Sequence, residues 1–299
     1  MNNNRIYWLH ALSPTHAGIG RGVGDIDLPI DRDGVTNWPI IRASGFKGVW
    51  ADHFRATPDA RKEDPMLRHA FGMAGENNDS NAGALIPTDA QLVCLPVRSY
   101  RGTFAWATSP LCLRRLHRML EQAGAKDLPN APSELPETDA HYCGVEGQPS
   151  AITNGERIYL EDLDFNAKQC STKWAKQLGG WVFTSDSAWN IEFQKRFVVL
   201  PDDAFNFLCE TGTEVHTRVR IDNDTKTVID GALWTEESLP AETILAGIIA
   251  CDRVFAKNGT ETKSGDLIEK FAKQSLALQI GGKASVGRGQ MRCVFSEVR

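Results

Sequence analysis

The chain has 299 residues, 41% of them hydrophobic, and a formal net charge of -5 at pH 7. That apolar content supports a sizeable core and excludes a disordered polymer, while the acidic balance excludes a protein held on nucleic acid by net charge alone, though not one with a local basic groove. No apolar run approaches the roughly 20 residues of a membrane span and the first residues carry no export signal, so the expected setting is the cytoplasm, with no membrane.

Near the start, RIYWLHAL is an aromatic, apolar run that predicts a first strand. Residues 12–34, LSPTHAGIGRGVGDIDLPIDRDG, form a long loop with glycine at every second position from Gly18 to Gly24. PIIRASGFKGVWADHFR predicts a helix entered near Ser44, with Phe46, Val49, Trp50 and Phe54 on one face. A polar, glycine-rich loop, FGMAGENNDSNAG, precedes a buried strand, AQLVCLPV. SPLCLRRLHRMLEQAG predicts a helix with Pro110 in its first turn and Gly124 as its stop.

Residues 124–156 are rich in Pro, Gly and acids and read as an insertion on one compact fold spanning 1–299. EDLDFNAKQCSTKWAKQLGG is expected to be helical, RFVVLP a strand, and DDAFNFLCETG a short helix ended by Gly212. EVHTRVRI and KTVIDGAL around DNDT predict a β-hairpin within about 212–240. ETILAGIIACDRVF is expected to be a strand on the strength of its isoleucines. SGDLIEKFAKQSLALQI reads as a helix running into a strand, GGKASVGRG as a glycine loop, and MRCVFSEV as the last strand. Elements of both kinds without regular βαβ alternation predict an α+β fold, a sheet with helices on one face.

Three common motifs fail on spacing. A dinucleotide fingerprint needs a third glycine where Val23 or Asp25 stands; a phosphate loop needs Ser or Thr where GGKAS has Ala284; a calcium loop built around DRDG meets Pro29 and Ile40 at two obligatory ligand positions. The 7 cysteines are odd in number and form no C-x-x-C pair, which predicts reduced thiols in place of a disulfide framework or a structural zinc. Alternating glycines let backbone lie against something bulky and turn N–H groups to an anion. Asp25 and Asp27 share one face of an extended segment, where a carboxylate could help hold a magnesium ion, and His16 could move a proton; a flexible loop with turn-capping aspartates fits the same residues. GGKASVGRG, with Lys283 and Arg288, suits either close approach to a phosphodiester backbone or a tight hairpin with solvated charges.

Five blocks in order, LSPTHAGIGRGVGDIDLPIDR, PIIRASGFKG, GALIPTDAQLVCLPVRSYRGTFAWATSP, TRVRIDNDTKTVIDGALWTEESLP and IGGKASVGRG, resemble the RAMP superfamily of CRISPR effector proteins, and more narrowly its backbone-forming endoribonuclease subunit in type III-B (Cmr) complexes. The resemblance implies a modified ferredoxin-like, RRM-like core with insertions and a protruding β-hairpin thumb. It implies copies of the chain stacked head to tail on a guide CRISPR RNA, together with other effector subunits, cutting complementary single-stranded target RNA at regular intervals with Mg2+ or Mn2+. It places Asp27 at the catalytic, metal-binding aspartate and His16 at the loop histidine beside it. Lys47 falls on the helix lysine that faces the guide, and Gly282, Lys283 and Arg288 on the loop that holds the guide backbone; Arg218 belongs to the basic set of the thumb. Glu236 and Glu237 are expected as a second carboxylate offered by a neighbouring subunit. The alternative is a non-catalytic guide-binding scaffold, which has no need of a carboxylate facing RNA.

Overall fold

The computed structural model describes residues 3–20, 22, 24, 26–74, 80–130, 132–145, 148–170, 173–256 and 261–297. Asp25 and the middle of the polar loop, residues 75–79, lie outside the described residues. In chain order the elements begin with strand β1 (Arg5–Ala11), strand β2 (Ile40–Ile41), helices α1 (Ala43–His53), α2 (Pro58–Glu63) and α3 (Pro65–Phe71), strands β3 (Ile86–Pro87), β4 (Ala90–Ser99) and β5 (Thr103–Thr108), and helix α4 (Pro110–Ala123). There follow β6 (Asp139–Tyr142), β7 (Arg157–Leu160), β8 (Leu163–Gln169), α5 (Lys173–Val182), α6 (Ser187–Arg196), β9 (Phe197–Val199) and α7 (Asp202–Thr211). The last part holds β10 (Glu214–Ile221), β11 (Val228–Ser238), β12 (Ile244–Ala250), α8 (Ser264–Phe271), β13 (Leu276–Gln279), a 3-10 turn (Ala284–Val286) and β14 (Gln290–Glu297).

Twelve strands form one sheet in the order β13-β14-β1-β12-β4-β5-β9-β6-β8-β7, with β2 on β4 and β3 on β12. The far half closes on itself: β7 returns to β4 through Ser99 and Leu160, so β4, β5, β9, β6, β8 and β7 make a barrel-like ring. Leu95, Val97, Ala105, Ile158, Phe165 and Val198 fill a common core there. The region read as an insertion contributes β6 to this ring, parallel to β8 and antiparallel to β9.

Helices lie on both faces of the sheet, not on one. Tyr7 and Leu9 pack with α1, α3 and α8, while Ile6 and Trp8, of opposite parity, pack with α4, α5 and α6. A strand apolar at every position has two faces to bury, and RIYWLHA is such a strand. The α1 helix presents Phe46 and Trp50 to the core as its spacing predicts, and a carboxylate from outside the helix caps it: Ala43 N–H donates to Asp89 Oδ1 at 2.7 Å. In α4, Ser109 caps the N-terminus, Pro110 occupies the first turn, and Gly124 ends the helix in the left-handed conformation.

One segment departs from its expected form. Residues 163–169, expected to be helical, are strand β8, and the helix starts only at Lys173. Leu163, Phe165 and Ala167 recur at period two, and β6 on one side and β7 on the other supply the backbone hydrogen-bond partners that an extended segment needs from outside itself.

β10 and β11 form a two-stranded sheet of their own, from Glu214 opposite Ser238 to Ile221 opposite Val228. Asp222 shapes their turn by accepting from the N–H groups of Asp224 and Thr225. Val215, Val219, Ile221, Val228 and Leu233 stay exposed along the hairpin.

Candidate active site at the base of the hairpin

The glycine-rich loop docks on the final residues of β11. Leu28 N–H donates to Thr235 O at 3.0 Å, and Glu237 N–H donates to Leu28 O at 2.9 Å. This parallel bridge brings Asp27 beside Thr235, 208 residues further along the chain. Thr235 N–H and its hydroxyl both donate to Asp27 Oδ2, at 2.8 and 3.1 Å, and Asp27 N–H donates to the same hydroxyl at 3.0 Å. The carboxylate is exposed, and its Oδ1 accepts no hydrogen bond among the described residues. It is a charged oxygen fixed on one side and open on the other.

His16 reaches the same strand two residues on. Its Nδ1 lies 2.7 Å from Glu237 O, a carbonyl that can only accept, so Nδ1 carries a proton and donates. The ring is 8% exposed. Two glycines make that placement feasible: a Cβ at Gly18 would stand 2.5 Å from His16 Nε2, and one at Gly281, whose φ is +84°, would stand 2.2 Å from His16 O. Gly282 N–H donates to His16 O at 2.9 Å, which brings the C-terminal glycine loop to the same place.

The expected second carboxylates are occupied inside this chain. Glu237 is 2% exposed; it accepts from Ile30 N–H at 3.0 Å and Thr213 Oγ1 at 2.8 Å, and pairs with Arg32 at 2.5 Å. Glu236 is 5% exposed and accepts from Lys283 Nζ and Trp234 Nε1, each at 2.7 Å, and from Arg218 at 3.4 Å. Burial pushes the Glu236 carboxyl up, but the bonds from Lys283 and Trp234 outweigh it and hold the group below the usual carboxylate range. Neither side chain is open to a neighbouring subunit. Each could be picked out in the sequence as a carboxylate near the hairpin, but not as a buried one.

The basic residues divide into two places. Arg218, Lys283 and Arg288 gather at the hairpin base, where Arg288 pairs with Glu214 at 3.2 Å and Lys283 also lies over the Trp234 ring at 5.8 Å. Lys47 stands apart on α1, half-buried, with no ion pair among the described residues. Burial, and then the charge of Arg61, hold its ammonium below the usual lysine value. Thr235, Arg32 and Trp234 were not among the residues expected to act. A threonine in a strand carries no local signal that an aspartate from the other end of the chain will dock on it.

A metal ion needs donors, and the described residues contain no group of three or more His, Cys, Asp or Glu placed to hold one. What Asp27 offers is a single open carboxylate oxygen. That suits a hard ion that keeps most of its water and takes further oxygens from a nucleic-acid phosphate, not one held in an all-protein cage. No helix among the described residues is long and apolar enough to cross a membrane.

Comparisons with known proteins agree with this architecture. The chain is 33% identical over 298 residues to the CRISPR system Cmr endoribonuclease Cmr4 of Pyrococcus furiosus, covering 97% of this chain and 95% of that one. The crystal structure of oligomeric Cmr4 from Pyrococcus furiosus superposes with a TM-score of 0.72 at 25% identity, over 99% of each chain. A chain of the type III-B Cmr-beta complex bound to cognate target RNA shares the fold, with a TM-score of 0.71 at 20% identity over 98% of this chain and 96% of that one. The RAMP superfamily model matches residues 8–292, from the first strand to the last, and the chain therefore belongs to the RAMP superfamily.

Proposed function

We propose that this chain is the RNA-cutting backbone subunit of a type III-B CRISPR ribonucleoprotein of the cytoplasm, a single RAMP domain that binds guide RNA and cleaves complementary single-stranded target RNA in antiviral defence. The full-length likeness to a protein named as an endoribonuclease supports the activity, and the likeness to an oligomeric form supports assembly with copies of itself. In this proposal the copies stack head to tail beside other effector subunits. In this reading the core is a modified ferredoxin-like fold and β10–β11 is the thumb, whose exposed Val219, Ile221 and Leu233 wedge between stacked bases. Guide pairing reads the sequence; the protein reads backbone and shape.

The observation that carries the reading is the exposed Asp27 carboxylate, held by Thr235 with one oxygen open. A scaffold that only binds RNA gains nothing from such a charge, since it repels phosphate. A nucleotide turned out of the stack brings its own 2′-OH in line with the adjacent phosphorus; the 2′-oxygen gives its proton to water and bonds to phosphorus as the bond to the 5′-oxygen breaks, and that oxygen takes a proton from water, leaving a cyclic phosphate and a 5′-hydroxyl. Mg2+ or Mn2+ bound beside Asp27 would neutralise charge building on that phosphate. Asp27 orients the water or ion at its open oxygen. His16, buried behind Gly18, clamps the loop through its bond to Glu237 O, and this placement favours positioning over proton transfer. Lys283, Arg288, Arg218 and the Gly282 backbone meet the guide phosphates at the hairpin base, with Lys47 contacting them from α1.

The test is cleavage of end-labelled complementary RNA in magnesium by complexes assembled with the native chain or with Asp27→Ala, with binding measured in parallel. Loss of every regularly spaced cut with binding intact is the expected result. Unchanged cutting would make the chain a scaffold.

A further inference from the structure

Away from the RNA site, the barrel-like ring carries an arrangement of two thiols that RNA cutting does not use. β6 and β8 run parallel, with Tyr142 opposite Gln169, so the next residues, Cys143 and Cys170, face each other just beyond the paired ladder. Cys170 N–H still donates to Tyr142 O at 3.0 Å, which holds the two backbones at neighbouring-strand spacing. The two Sγ atoms are 2.8 Å apart. A disulfide needs about 2.05 Å between sulfurs and Cα atoms about 4.4–6.8 Å apart, so adjacent strands at this register require little movement to form one. The remaining five cysteines, at 94, 112, 209, 251 and 293, are buried.

The pair is asymmetric in access. Cys143 is buried, whereas Cys170 is half-exposed and lines a cavity of about 310 Å³ together with His141, Lys173 and Trp174. Cys170 lines that cavity and Cys143 does not, so Cys170 is the sulfur open to a small oxidant. The contact between the two thiols lowers Cys170 from its ordinary value and raises Cys143, so Cys170 is the more acidic of the pair.

We infer that Cys143 and Cys170 form a reversible dithiol–disulfide site that responds to peroxide. The Cys170 thiolate attacks one oxygen of the peroxide; the O–O bond breaks, and with one proton taken up the products are a Cys170 sulfenic acid and water. Cys143 sulfur then bonds to Cys170 sulfur, and the hydroxyl leaves as a second water with the Cys143 proton. The net change removes two electrons and two protons from the pair and reduces one peroxide to two waters. A dithiol reductant reverses it by thiol–disulfide exchange. The bond ties the end of β6 to the end of β8 and closes the loop that contains β7, stabilising the ring that β4 completes. In a reducing compartment the pair rests as thiols and closes only under oxidant.

The experiment is disulfide mapping by mass spectrometry on the purified full chain treated with hydrogen peroxide, then alkylated under denaturing conditions. The expected product is a Cys143–Cys170 linked peptide, two hydrogens lighter than the separate peptides, abolished by dithiothreitol, with the five buried cysteines recovered alkylated. Cys170→Ser, at the half-exposed position, should give no linked peptide and leave Cys143 alkylated. Recovery of Cys143 and Cys170 both as alkylated thiols, oxidation of Cys170 to sulfinic acid with Cys143 still a thiol, or links to other cysteines would each overturn the inference. The native chain decides the matter whatever the variant's fold, and the outcome does not depend on the RNA-cutting activity.

Discussion

Replacing Thr235 by valine asks whether Asp27 must be a fixed carboxylate to act. Valine keeps the β-branched shape that suits the strand, and keeps the backbone N–H that donates to Asp27 Oδ2 at 2.8 Å. It removes the hydroxyl that donates to Oδ2 at 3.1 Å and accepts from Asp27 N–H at 3.0 Å. A hydrogen bond to a charged group contributes about 1.5–3 kcal/mol, and exposure of Asp27 puts this loss at the low end, about 1.5 kcal/mol. If all of it falls on the transition state, cleavage slows about tenfold. The assay is single-turnover cleavage of end-labelled complementary RNA by excess assembled complex, with affinity measured on the same preparations. Native affinity with every cut slowed by about the same factor is expected. A wild-type rate, or a drop in affinity that accounts for the whole loss, would refute the view that Thr235 holds Asp27 for chemistry.

Gly18→Ala places a methyl 2.5 Å from His16 Nε2 and must displace the ring from Glu237 O, so thermal melting should shift down and cutting should slow together. Glu236→Gln removes the negative charge that neutralises Lys283 and Arg218; guide RNA should bind more tightly, with a steeper dependence on salt, in a filter-binding titration. The same carboxylate has a pKa lowered by folding, so the stability it adds is present above the unfolded value of about 4.3 and is lost as pH falls through the lower folded value; melting curves of the native chain from neutral to acid should show that loss, with Glu236→Gln flatter. Lys47→Met removes a half-buried charge with no ion pair among the described residues, so the chain should melt higher while its affinity for guide RNA falls.

The sequence by itself determined the elements whose causes are local. The first strand, α1, α4 and the hairpin follow from apolar spacing, Pro110, Gly124 and the Asp222 turn, because the pattern that marks each lies within a few residues of chain. The order of five short blocks pointed to the family before any contact was known. The tertiary structure decided what depends on distant partners. β8 became a strand because β6 and β7 flank it, and helices took both faces because β1 is apolar on both. At the site, Asp27 and His16 could be named from the sequence, but not that Thr235 holds the one and the Glu237 carbonyl the other. Nor could a sequence say that Glu236 and Glu237 are consumed by Lys283, Arg218 and Arg32, or that Cys143 meets Cys170. Hydrogen bonds and ion pairs act over a few ångströms, and only the closed sheet brings residues this far apart in the chain within that range.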